Sequence, residues 1–181
     1  PPEKSGALEA LFSEVPALYV ADGHHRSAAA SRVHARRTRA GLAGEHGHFL
    51  AVLFPHDQMQ ILAYNRVVRD AQGRDPAALE ALLATRFDLS PASEAAPSGP
   101  KSFGVYLGGR WLRARVREGS YDAGDPVASL DCSIVQEQLL APLFGIEDPR
   151  RDDRVGFVGG IRGAGELERK VDSGAWSLAL H

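Results

Sequence analysis

Apolar positions along the chain change their spacing from segment to segment, and the spacing predicts helices alternating with short strands. Leu8, Leu11 and Phe12 stand at helical spacing until Pro16 breaks the pattern. The continuous run Ala17-Leu18-Tyr19-Val20-Ala21 reads as a short buried strand, Asp22-Gly23 as a tight turn, and Ala28 to Arg39 as a helix. Phe49 to Phe54 and Gln60 to Tyr64 predict a hairpin joined by Pro55-His56-Asp57-Gln58, with Asn65 to Arg69 leaving its second strand. Pro76 to Phe87 is amphipathic: Pro76 suits a first helical turn, and Leu79, Leu82 and Leu83 stand in register. A second hairpin is expected from Phe103 to Leu107, Gly108-Gly109 and Trp111 to Val116, with Arg113, Arg115 and Arg117 as a basic strip on its exposed face. Ile134, Leu139, Leu140 and Leu143 predict a helix to Phe144 that Pro142 kinks or ends. Val155 to Gly160 reads as a strand, Glu166 to Val171 as a short helix, and Trp176 to Leu180 as a last strand.

Helices and strands interspersed with hairpins indicate an α/β or α+β fold with a mixed sheet and flanking helices. Its 181 residues suit one domain, residues 1–181, which at this size hides roughly 70% of its unfolded surface. Ser90 to Pro100 is rich in Ser, Ala, Pro and Gly and is the one stretch expected to form a flexible loop. The chain starts at Pro1-Pro2 and stops on a strand-like run, so a fragment of a longer protein is expected.

Charge and cysteine narrow the field. With 21 Lys and Arg against 23 Asp and Glu, the net charge of -2 gives no general attraction to nucleic acid or an anionic membrane. Arg32, His34, Arg36, Arg37 and Arg39 spread around one helix and read first as a solvated face. The single cysteine, Cys132, excludes an internal disulfide and any multi-cysteine zinc site, and its apolar neighbours predict a buried structural thiol. No apolar run reaches the roughly 18 residues needed to span a bilayer, and no signal peptide is visible. A cytoplasmic protein without membrane contact is expected.

The constellation whose residue types exceed structural need is Asp22-Gly23-His24-His25-Arg26, between an expected strand and a helix. A helix N-terminus presents free N–H groups and the positive end of the helix dipole, both of which attract phosphate oxygens. Arg26 can add a bidentate charged contact, and imidazoles such as His24 and His25 can donate to phosphate or move a proton. Asp22 can hold magnesium, orient a histidine, or accept a proton from a substrate hydroxyl. Phosphoryl transfer calls for such a set, because positioning and charge neutralisation supply most of its catalysis. The bland alternative is a cap, a turn glycine and a surface charge. Histidines at His24, His25, His34, His46, His48 and His56 leave zinc as a separate reading, although no two-His helical motif with a glutamate is present. Asn65 and Arg66 are further phosphate- or nucleotide-binding candidates, and Gly159-Gly160-Ile161-Arg162-Gly163 reads mainly as a plain turn.

Ala17 to Arg26, followed by small residues, resembles the signature of a prokaryotic family named domain of unknown function 1015. Ile61 to Val68, Leu130 to Ile134, Gly145 to Asp148 with Arg154 to Gly160, and Val171 to Gly174 resemble later blocks of that family in the same order. The Asp22–Arg26 turn also resembles that of the wider ParB and sulfiredoxin-like superfamily, which includes partitioning nucleotide switches, sulfiredoxin and a free-serine kinase. That resemblance implies a ParB/sulfiredoxin-like core around the turn, with Gly23, His24, His25 and Arg26 on nucleotide phosphates and Asp22 facing metal or substrate. It implies ATP or ADP with magnesium as cofactor, and a small hydroxylated substrate, serine first. The turn holds no cysteine, which argues against sulfiredoxin chemistry, and no helix-turn-helix reader is evident, which argues against partitioning. A serine-kinase-like phosphotransferase is therefore expected, with a phosphomonoester hydrolase and a non-catalytic nucleotide sensor as alternatives. A small-molecule partner follows, with no nucleic acid and with a homo-oligomer left open.

Overall fold

A computed structural model describes residues 2–181 and divides the chain into two compact units, residues 1–59 and 60–181. The first unit is helical. Its elements are α1 (Pro2–Ser13), α2 (His24–Arg39) and two single 3₁₀ turns, Glu45–Gly47 and His56–Gln58. None of its residues with a described side chain is buried. Ala17 to Ala21, expected as a buried strand, is instead irregular backbone without a ladder partner, and Tyr19 is 91% exposed. A strand exists only where another strand takes up its N–H and C=O groups, and composition alone cannot supply that partner. The hairpin expected across residues 49–64 is absent for the same reason: 49–54 pairs with nothing, and Pro55 leads into the His56–Gln58 turn.

The second unit contains the sheet. Its strands are β1 (Tyr64–Val68), β2 (Phe87–Pro91), β3 (Ser102–Leu107), β4 (Arg110–Val116), β5 (Val155–Gly159) and β6 (Leu178–Leu180), in spatial order β2-β4-β3-β6-β1-β5. Every pairing is antiparallel, so the architecture is α+β, and the expected mixed sheet is corrected to an antiparallel one. Asn65 to Val68, expected to leave a strand, forms the body of β1 between β5 and β6. The hairpin of β3 and β4 turns on Gly108 and Gly109, both at positive φ, as a two-residue turn requires.

Period-two alternation divides the apolar residues between the two faces of the sheet. Val68, Val105, Leu107, Leu112, Leu178 and Leu180 join one core with Leu79 and Leu83 of α3 (Pro76–Ala84) and Ile134, Leu139 and Leu140 from the helical stretch after residue 130. That stretch runs α4 (Asp131–Val135), a π-helical turn Gln136–Leu140, and α5 (Ala141–Phe144). Pro142 lacks an N–H and its ring would crowd the carbonyl four residues back, and the wider π turn ahead of it lets the helix continue. Val67, Tyr106, Trp111, Val158 and Ala179 face the other way, onto Leu167 of α6 (Gly163–Asp172). Each fully buried leucine in such a core contributes about 1.5–3 kcal/mol.

Local chemistry sets the ends of α3. Pro76 occupies its first turn, and the Asp75 carboxylate accepts from Ala78 N–H at 2.8 Å. The helix stops at Ala84, short of the expected Phe87, because Phe87 is needed in β2: it pairs with Val116 and packs edge-on against Phe103. Arg117 then binds the freed helix carbonyls, donating to Thr85 O at 2.9 Å and Ala84 O at 2.6 Å. The segment expected as a flexible loop begins inside β2, and Ala92 N–H donates to Trp111 O at 3.1 Å. Further along, Ala95 is buried, and a Cβ on Gly104 would overlap its carbonyl oxygen.

Candidate functional site

Gly23 begins the site. It takes a left-handed conformation (φ 80°, ψ 24°) that a side chain would strain, and α2 starts at the next residue. The first helical hydrogen bond runs from Ser27 N–H to Gly23 O at 2.9 Å, so the N–H groups of His24, His25 and Arg26 precede it. No side chain caps this end, and no acidic residue lies in its first turn. The helix therefore begins at His24, four residues ahead of expectation, and three of the candidate residues ride on its open N-terminal turn.

The side chains are solvent-exposed. Asp22 and Arg26 form a loose ion pair at 3.9 Å, with side chains 96% and 79% exposed. A surface pair at that distance contributes little to stability, so each group is available to a ligand. His24 and His25 are exposed beside them. The chemistry this arrangement can perform is attraction of an anion to free N–H groups and a guanidinium, with imidazole donors and one carboxylate at its border.

Asn65 and Arg66 lie in the second unit, on β1. Neighbouring residues of a strand point to opposite faces, so the two side chains diverge. Asn65 is 2% exposed, and neither its Oδ1 nor its Nδ2 has a hydrogen-bond partner. Arg66 has a buried Nε without a partner, and its guanidinium lies 5.8 Å from the Phe157 ring, which in turn stacks on Tyr64. Burial pushes the Arg66 pKa down, and the groups of Cys132 and Tyr64 oppose that shift. Among the described residues no carboxylate pairs with it.

Of the remaining histidines, the fold brings two together: His34 and His46 place their Nδ1 atoms 3.3 Å apart, and His46 Nε2 lies 2.8 Å from Leu42 O. Among the described residues no group of three His, Cys, Asp or Glu side chains is arranged to hold a metal ion. Cys132 is exposed at the start of α4, which corrects the expectation of a buried thiol: Ile134 and Val135 after it turn inward, while Leu130 before it is itself exposed. Gly160 accounts for part of the glycine-rich turn: its N–H donates to Ala63 O at 2.7 Å, and a Cβ there would come within 2.6 Å of that oxygen.

Other polar residues take on a role only in the fold. Asp70 is buried and holds Arg74 through both carboxylate oxygens, at 2.9 and 3.2 Å. Burial alone would raise its pKa, but hydrogen bonds from the Arg74 backbone and guanidinium and the Gln72 backbone together bring it below the ordinary carboxylate value. The i, i+4 spacing of Asp70 and Arg74 was readable, but the burial was not. A 540 Å³ cavity lined by Glu147, Asp148, Arg151, Asp152, Asp153 and Arg154 is mainly a set of closed ion pairs. Arg154 holds Asp152 and donates to Phe144 O and Gly145 O, ending α5.

Two comparisons found no relative: no curated protein and no solved structure matches the chain. A family model described as Protein of unknown function (DUF1015) matches residues 1–133, which takes in the Asp22–Arg26 turn, all of β1 and the start of α4.

Proposed function

The chain belongs to the DUF1015 family, and we propose that it binds a phosphate-bearing nucleotide at the Asp22–Arg26 turn and transfers a phosphoryl group to a small hydroxylated metabolite. The observation that carries this reading is the N-terminus of α2: an uncapped helix end without acidic residues, opened by a left-handed glycine, with His24, His25 and Arg26 on its first turn. A structural turn would gain from an Asp or Ser cap here and has no use for three cationic or imidazole side chains.

In this reading Gly23 lets the backbone approach the ligand closely. The N–H groups of the first turn and the Arg26 guanidinium neutralise phosphate oxygens, and His24 and His25 donate to the transferred group. Asp22 accepts the proton of the acceptor hydroxyl or ligates magnesium. Magnesium binds through one or two carboxylates plus phosphate oxygens and water, so a lone Asp22 fits a cation that arrives with ATP or ADP. The likeness of the turn to the ParB and sulfiredoxin-like superfamily supports serine as the first acceptor to try. Asn65 and Arg66 offer unpartnered polar groups of the same kind within their own unit.

Exposure favours a second reading. Phosphoryl transfer to an acceptor other than water requires a site that excludes water, and Asp22 is 96% exposed. A module that binds nucleotide without transfer, or that hydrolyses a phosphomonoester, needs no such enclosure.

Calorimetric titration with ATP and ADP, with and without magnesium, tests the nucleotide binding that the kinase and sensor readings share. Saturable binding is expected, weakened roughly ten- to a hundredfold by Arg26→Ala or His25→Ala, the loss for a charge-assisted hydrogen bond. Circular dichroism should stay unchanged, since both side chains are exposed. Undiminished affinity in both variants would make the turn structural. Product formed from ATP only when serine or another hydroxylated acceptor is present identifies a kinase, phosphate released from a monoester without nucleotide identifies a hydrolase, and binding without product identifies a sensor.

A further inference from the structure

A second polar cluster lies on the sheet of the 60–181 unit and uses none of the residues proposed for phosphoryl transfer. Residues directly opposite in adjacent strands share a face, as do residues two apart. Asp88 and Ser102 both stand opposite Arg115, while Ser90 and Gly104 both stand opposite Arg113. One face of β2, β4 and β3 therefore carries Asp88, Ser90, Ser102, Arg113 and Arg115 together. Beside them is a cavity of about 300 Å³, lined by these five residues, Leu89 and Ser98.

Its polar groups are unequally occupied. Ser102 is 4% exposed and its Oγ, buried, has no hydrogen-bond partner. A hydroxyl withdrawn from water without a partner is unfavourable, and sites of this kind mark an unfilled bonding requirement. Arg113 donates to the carbonyls of Glu94 and Ala96, which fastens the segment that leads to Ser98 in the cavity lining. Arg117, the third member of the expected basic strip, is consumed by the end of α3 and by Asp88, which it meets at 3.0 Å. Asp88 is thus already paired. Arg115 is left without a hydrogen bond or ion pair among the described residues, directly across from Ser102.

The local field is positive. His181 flanks Gly104, with its N–H donating to Gly104 O at 2.8 Å. Burial first, and then the Arg113 charge, hold the His181 imidazole below its ordinary pKa, and its buried Nδ1 lacks a partner as well. A cation would meet two guanidiniums here and no free carboxylate.

We infer that this cavity binds a small phosphate group, as free phosphate or as the phosphoryl end of a small metabolite. The planar fork of Arg115 takes two oxygens, the Ser102 hydroxyl donates to a third, and Arg113 adds charge while holding the wall. The volume sits at the small end of ligand pockets, which suits a phosphomonoester better than a dinucleotide.

The test is a titration of the 181-residue chain with inorganic phosphate, and separately with glycerol 3-phosphate, at constant ionic strength set by potassium chloride. It is read by calorimetry and by the amide NMR shift of Ser102. Saturable shifts are expected, with affinity reduced roughly tenfold by Arg115→Gln and roughly threefold by Ser102→Ala. Both variants are expected to keep the parental circular dichroism, since Arg115 is exposed and Ser102→Ala removes only a hydroxyl. Tighter binding of the ester assigns the site to a phosphorylated metabolite, and equal binding assigns it to free phosphate. Shifts that chloride reproduces, or parental affinity in both variants, would overturn the inference.

Discussion

Ala17 to Ala21 and Ser102 to Leu107 are short runs of similar strand-like composition, and they end in opposite states. β3 is buried at all six positions, hydrogen-bonded to β4 on one side and β6 on the other. The 17–21 run pairs with nothing, and Tyr19 is 91% exposed. The contrast extends to the units that contain them: residues 60–181 build two apolar clusters on the faces of one sheet, whereas no described side chain of residues 1–59 is buried. Apolar sequence is therefore not a core by itself. It becomes one when hydrogen-bonded neighbours fix its register and a second layer covers it. The candidate phosphate turn lies in the exposed unit, where its residues bear little packing and are open to a ligand.

Matched substitutions in the two units test this contrast, and urea unfolding measures each. Trp111 and Trp176 both lie in the second unit, so their fluorescence reports on it, and helical circular dichroism reports on the whole chain. The largest difference is expected between two apolar truncations. Phe87→Ala, at 1% exposure, is expected to cost about 3–5 kcal/mol. Leu50→Ala, at 90% exposure, should stay within about 0.5 kcal/mol. Equal costs would show that residues 1–59 hide apolar surface after all.

Next come two aspartates. Asp70→Ala leaves Arg74 half-buried without its partner and is expected to cost about 3 kcal/mol, against about 0.5 kcal/mol or less for Asp22→Ala. The pH dependence has a definite sign. The folded Asp70 carboxyl titrates below its ordinary value, so the pairing stabilises above that ordinary value and is lost as pH falls through the lowered one. Asp70→Ala should remove this part of the acid limb of the stability profile, and an unchanged limb would deny Asp70 its role. The smallest pair is Gly104→Ala against Gly23→Ala. The first drives a methyl into the Ala95 carbonyl and is expected to cost about 1–3 kcal/mol. The second meets only the far end of the exposed Arg26 side chain, 3.3 Å away, and is limited to about 1 kcal/mol of left-handed backbone strain. A reversed order would place tight packing at the turn instead of the hairpin.

Local pattern was most readable where neighbours in sequence are also neighbours in space. The Gly108-Gly109 hairpin, α6 and α3 with its Pro76 start are of this kind, since turn chemistry and helix starts act within a few residues. The candidate turn was legible as residue types, and its position at the start of α2 followed from Gly23. Ser102 gave no signal, because a serine in a strand is unremarkable until its hydroxyl is found buried and unpartnered. Cys132 misled, because apolar neighbours in a helix say nothing about the direction of the residue between them. The three arginines of the basic strip looked equivalent until Arg117 met the end of α3 and Arg113 met the Glu94–Ala96 backbone.

The Pro76 start of α3, the glycine turns, the α+β character and the identity of the Asp22-Gly23-His24-His25-Arg26 constellation are all legible along the chain, because they depend on residues a few positions apart. Tertiary structure alone decided which apolar runs became strands, the order β2-β4-β3-β6-β1-β5, the burial of Asp70 and the solitude of Arg115. Each of these depends on a partner distant along the chain, and local periodicity carries no record of such a partner.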